Sequence, residues 1–336
     1  MALVLYLATA SGLFIADPVD GGWSVRERYL AEQALNTVVV IDETVLAGGE
    51  RGIWRSTDGG NSWQPVFDGT TAPHVRWMLW IDGPGETVLA GAEPAGIYVS
   101  TNRGATWRKA SGVSLLRDKY GWRLPYSAAA GCVRDFGASR HGGINRFYAA
   151  VEVGGVLTST DGGVSWALVP GSDGSPDLNR GLGSGIHPDV HSLHAHPTTG
   201  AITAATGGGL YRSNDLGASW VRLHGGYVRA LWVDPADPDH IIAGPADGVS
   251  KGGRIERTVD GGAHWRSFSD GMNAPWPRHM ADRFFFSEGR LFAVLSGGDL
   301  WERSMNGSVW RQVLSKVEAI RGAALGRVPE TVRTHR

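Results

Sequence analysis

The sequence predicts an all-β fold: a seven-bladed propeller of four-stranded antiparallel blades. One observation is a recurring phrase, Ser/Thr-x-Asp-x-Gly-x-x-Trp. It occurs as Ser56-Thr57-Asp58-Gly59-Gly60-Asn61-Ser62-Trp63 and again in close copies ending at Trp107, Trp166, Trp220, Trp265 and Trp310. Asp20-Gly21-Gly22-Trp23 reads as a damaged seventh copy. The second observation is composition: 49 glycines, 14 tryptophans and 19% charged residues suit a turn-rich β protein. The third is spacing, with units of about 40 to 60 residues split into short β-branched and aromatic runs by Gly-rich punctuation.

Each unit divides into four strands. In the sixth, Val228–Val233, His240–Gly244, Arg254–Arg257 and Trp265–Phe268 are successive runs of that kind. The first unit, starting at Leu3, supplies only three. Its missing inner strand is expected from Lys316–Arg321 at the other terminus, and that pairing closes the ring and removes exposed sheet edges. The propeller is therefore one domain over residues 1–326, with a disordered tail at 327–336. The apolar start through Ala10 ends in Ala-x-Ala, as a short secretory signal does, but it has no basic leader. Leu7–Phe14 also aligns with Ala204–Tyr211 inside the chain, which makes it part of the repeat. With Cys132 the only cysteine, the expected location is cytoplasmic.

The phrase itself has a mechanical role. Its hydroxyl and carboxylate bond local backbone in the turn from third to fourth strand, its glycines permit positive φ, and its Trp fills the space between blades. Asp58, Asp161, Asp215 and Asp260 are accordingly read as structural. In these phrases the chain resembles the Asp-box, or bacterial neuraminidase repeat, propeller superfamily over residues 3 to 325. That superfamily includes sialidases, xyloglucan-degrading glycosidases, sortilin-type receptors and photosystem II assembly factors. The resemblance implies the fold; it leaves activity open, because the fold hosts many functions.

Propeller topology gathers polar residues at one mouth of the central channel. Arg76, Arg134, His191 and Arg229 start inner strands, with Asp282 and Glu318 at comparable positions. Glu50, Glu93, Glu152 and Asp247 fall in the turns from second to third strand. Long insertions at 110–131, 171–188, 244–253 and 269–279 belong to the same face, and their aromatics include Tyr120, Trp122, Tyr126 and Trp276. One reading of the arginines is a ring of salt bridges tying blades together. The other is a pocket in which Arg76, Arg134 and Arg229 hold an anion, with Glu256, Trp122 and Tyr126 completing the ligand contacts. Glu93, Glu152, His191 and His279 would then transfer protons. Sialidases hold a substrate carboxylate with three arginines, but this chain lacks their Phe-Arg-Ile-Pro signature.

His187, Asp189 and His191 alternate along an extended segment and form a candidate site for a divalent metal, although nothing in the sequence requires a cofactor. Net charge is −1, which excludes an electrostatic case for nucleic acid or an anionic membrane. No phosphate loop, Gly-x-Ser-x-Gly elbow or His-Glu-x-x-His helix is present. Two function classes follow. The first is a pocket for a small anionic or carbohydrate-like ligand, with hydrolase or lyase chemistry as its enzymatic form. The alternative is a non-catalytic scaffold that binds a protein partner on the propeller face.

Overall fold

The computed structural model describes residues 2–67, 72–83, 86–179, 183–314, 317 and 319–328. It is a seven-bladed β-propeller with seven antiparallel sheets of four strands each. In chain order the inner strands of blades two to seven are Leu35–Ile41, His74–Ile81, Cys132–His141, Val190–Ala195, Tyr227–Val233 and Ala281–Ser287. The inner strand of blade one is Ile320–Val328, paired along Ala2–Thr9, so the two ends of the chain close the ring. It lies C-terminal to the expected Lys316–Arg321 and runs two residues past Gly326. Lys316 and Glu318 lie outside the described residues.

The second strand of each blade is almost wholly buried, because it is covered by sheets on both sides. Val45–Gly49, Val88–Ala92 and Ile202–Thr206 are examples. The recurring phrase holds the turn to the outer strand. In the second blade Ser56 Oγ donates to Asp58 Oδ1 at 2.7 Å, Gly60 N–H donates to Ser56 Oγ, and Asn61 and Ser62 N–H donate to Asp58 Oδ1. The same lattice recurs around Asp161, Asp215 and Asp260. At Gly60 the backbone has φ +98°, and a Cβ there would lie 2.9 Å from Ile15 of the previous blade. Glycine is required for both reasons. The damaged copy behaves differently, because Gly12–Val19 and Gly22–Tyr29 form a long hairpin across Asp20-Gly21.

One short helix, Val113–Tyr120, occupies the first insertion and was not anticipated from sequence. Among the described residues no helix is long and apolar enough to cross a membrane.

Candidate functional site

Every inner strand carries one extra residue near its mouth end. The register slips by one at Asn36, Arg76, Arg134, His191, the Arg229-Ala230 pair, Asp282 and Arg321, one slip per blade. A bulge of this kind bends the strand and re-aims the side chain it carries. Asn36, Arg76, Arg134, Arg229, Asp282 and Arg321 all line a cavity of about 630 Å³ at the channel mouth, together with Glu50, Trp77, Tyr126 and Arg283.

Each of the four bulge arginines faces a carboxylate. Arg76 is 3.5 Å from Glu93, Arg134 3.3 Å from Glu152, Arg229 3.3 Å from Asp282 and Arg321 3.8 Å from Glu50. These are single-pronged approaches, so guanidinium N–H groups are left over for a further partner. Arg229 Nε donates to Tyr227 Oη at 3.0 Å, and burial pushes the Tyr227 phenol up to about 12. The Tyr227 ring in turn packs on His191, 5.0 Å between centroids.

Arg283 was missed by the sequence reading. It sits one residue beyond the seventh-blade bulge, and its guanidinium spans the channel to the opposite blades. There it stacks over Trp77 at 3.7 Å, donates to the Arg134 carbonyl and stands 3.5 Å from Asp135. Burial lowers its pKa to about 10, and burial likewise raises that of Asp135. Asp135 also accepts from Ser192 Oγ at 2.7 Å and from Leu193 N–H, tying the fourth blade to the fifth. The sequence signal was the Arg134-Asp135 and Asp282-Arg283 dipeptides, whose second members point beneath the mouth once the bulge is known.

Arg134, Glu152, Asp189 and His191 are brought together, with the exposed Tyr126 beside the group. Five expected residues lie outside the group or are engaged elsewhere. Trp122 is fully buried, with its indole N–H donating to the Gly174 carbonyl, so no face remains for a ligand. Glu256 is away from the mouth, its two carboxylate oxygens engaged by His224 at 2.9 Å and Arg254 at 2.6 Å. His279 is exposed and packs against Gly297 on the seventh blade, whereas His191 on the fifth is buried, its ring beside Tyr227 of the sixth and a ring nitrogen near Glu152 of the fourth. His187 does not point at the metal candidates: its Nδ1 accepts the Asp189 backbone N–H, its ring lies on Gly208, and Glu152 of the preceding blade takes the third position. Glu93 leaves the main cavity for a side pocket of about 300 Å³ with His74 and Tyr98, and Ser127 Oγ donates to it at 3.2 Å. Cys132 is fully buried, and burial pushes its thiol up to about 11.

No protein-family model matches the chain. It is similar to the photosystem II assembly lipoprotein Ycf48 of a Synechococcus species. The two are 25% identical over 305 residues, which covers 86% of this chain and 79% of the relative. A xyloglucanase of Hypocrea jecorina is 24% identical over 65% of this chain, but the match spans only 23% of that enzyme. Among solved structures, YCF48 bound to D1 peptide superposes with a TM-score of 0.60 at 17% identity, over 93% of this chain and 89% of that one. That structural likeness speaks for the fold alone.

Proposed function

We propose that this propeller is a non-catalytic binding module whose channel mouth holds an acidic segment of a partner protein. One observation carries the reading: five arginines and only two carboxylates line the mouth cavity among the described residues. Forked guanidinium donors arranged around a pit suit carboxylate groups on an extended peptide. The sequence likeness supports it, because the relative matched over most of both chains is an assembly lipoprotein, and a solved YCF48 carries a D1 peptide. We also assign the recurring phrase to the Asp-box type on its hydrogen-bond lattice.

The hydrolase reading is weaker. Glycoside cleavage uses two carboxyl groups flanking an open gap, about 5 to 9.5 Å apart. Here Glu93 and Glu152 are each drawn to an arginine; Glu93 lines a side pocket and Glu152 is buried. The glycosidase likeness, moreover, covers only a fraction of the enzyme.

An array of acidic peptides, each printed beside its Asn/Gln counterpart, tests the proposal. Acid-dependent binding that disappears in the Arg134→Ala/Arg229→Ala double variant, with an unchanged circular dichroism spectrum, is the expected result. Binding that ignores peptide charge, or survives the double substitution, overturns it.

A further inference from the structure

The seven bulge positions are equivalent by topology, yet one is withdrawn from the cavity. Six of them line the mouth, whereas His191 does not and is only 2% exposed. Its imidazole turns into the wall between the fourth and fifth blades. There its nitrogens meet Glu152 and Asp189, with one ligand atom from each of the three residues within 4.8 Å of the others. We infer that Glu152, Asp189 and His191 form a binding site for a divalent transition-metal ion of the zinc class.

Hydrogen bonding does not account for the cluster. Glu152 Oε2, Asp189 Oδ1 and both nitrogens of His191 are buried without a hydrogen-bond partner. Two of the four, Asp189 Oδ1 and His191 Nδ1, are not the atoms of an ion pair either, and a buried polar atom left unsatisfied is costly. His191 Nε2 and Asp189 Oδ2 do lie 3.3 Å apart, but the pair is not aligned as a hydrogen bond. That spacing is the one expected of two ligands on a tetrahedral ion, which sit about 3.4 Å apart when each bond is about 2.1 Å.

Charge points the same way. Two carboxylates share one guanidinium, that of Arg134, which approaches Glu152 at 3.3 Å. Beside a neutral imidazole, one of the two negative charges is left for a divalent ion to balance. One imidazole nitrogen with two carboxylate oxygens is a borderline donor set, which favours Zn²⁺ over the harder Ca²⁺ and Mg²⁺.

The glycine run after the second strand of the fifth blade also has a place in this site. A Cβ on Gly207 would stand 2.3 Å from Asp189 Oδ2, so only glycine leaves the carboxylate where it is. The atom it would strike is the end of a mobile side chain, so Gly207→Ala moves the ligand without breaking the backbone.

The full chain, stripped with chelator, is titrated with Zn²⁺ by calorimetry and with Co²⁺ by visible absorption. Wild type should take up one equivalent of Zn²⁺ and show the d–d bands of tetrahedral Co²⁺. His191→Gln and Asp189→Asn should each weaken binding by more than about 100-fold, and Gly207→Ala by at least about 10-fold with an unchanged metal-free melting temperature. If His191→Gln fails to fold, Gly207→Ala decides. Absence of stoichiometric binding in wild type overturns the site. Undiminished binding in the folded variants assigns the metal to other histidines and overturns it equally.

Discussion

Replacing Arg283 with Met should reveal how much of the ring is held from inside the channel. The substitution keeps an unbranched side chain over Trp77 but removes the guanidinium. It thereby breaks the 3.5 Å approach to Asp135, the stacking at 3.7 Å and the bond to the Arg134 carbonyl. Removing one partner of a buried pair costs about 3–5 kcal/mol, mostly because the other charge stays behind. For 336 residues the unfolding entropy is about 0.7 kcal/mol/K, so the melting temperature should fall by about 4–7 °C. The loss should also depend on pH. Burial already raises the Asp135 pKa, and a raised carboxyl opposes folding as pH climbs through its folded value. Without Arg283 that rise is larger, so the deficit is largest at neutral pH and shrinks as falling pH protonates Asp135. Adding Asp135→Asn should recover part of the loss at neutral pH. Differential scanning calorimetry of wild type and the two variants measures this. A deficit under about 1 °C, or one that is flat with pH, would refute the idea that a buried charge pair braces the channel.

Other perturbations separate packing from recognition. Trp122→Ala should cost about 3–5 kcal/mol, as buried aromatic truncations do, and leave peptide binding at the mouth unchanged; denaturant unfolding and peptide titration report the two. His194 is held near pKa 4 by burial. A depressed histidine loses stability as pH falls from its unfolded value of about 6.5 toward the folded one, so His194→Gln should melt more evenly between pH 7 and pH 5 than wild type. Asp215 is held at about 2 by bonds from Ser219 and Ser213. Its contribution is present above the unfolded carboxyl value of about 3.9 and vanishes as pH drops toward 2, so the urea midpoints of wild type and Asp215→Asn should converge in acid. Peptide binding at the mouth should weaken with salt, but modestly, because its half-buried guanidinium groups are only partly screened.

The ring was legible because repetition is a long-range signal. One phrase in six good copies sets the number of sheets, and its Asp and Trp side chains do in the structure the turn-holding and gap-filling that their chemistry suggests. The mouth was legible only in part. Arg76, Arg134 and Arg229 were identifiable because they stand at the start of apolar runs. Trp122 was not readable as core, because a loop aromatic has no period to reveal its direction, and here a short helix turns it inward. Glu256 lies elsewhere for another reason: its carboxylate is engaged by His224, at the end of strand Val221–His224, and by Arg254 just before its own strand, contacts that no spacing rule fixes.

Arg283 and His191 show what pattern reasoning omits. A one-residue bulge reverses the facing of everything beyond it on the strand, and the sequence carries no mark of where the slip falls. Once the slip is placed, the arrangement has a simple logic. Seven equivalent positions point at one axis, so identical side chains would crowd like charges together. The chain instead mixes four arginines, an asparagine, an aspartate and a histidine at these positions, and sets Glu50, Glu93 and Glu152 behind three of the arginines. Those carboxylates keep the arginines extended and apart without occupying all their donors. On the proposed reading, a mouth built this way is pre-organised for an anion, since its charges are held in place before the ligand arrives.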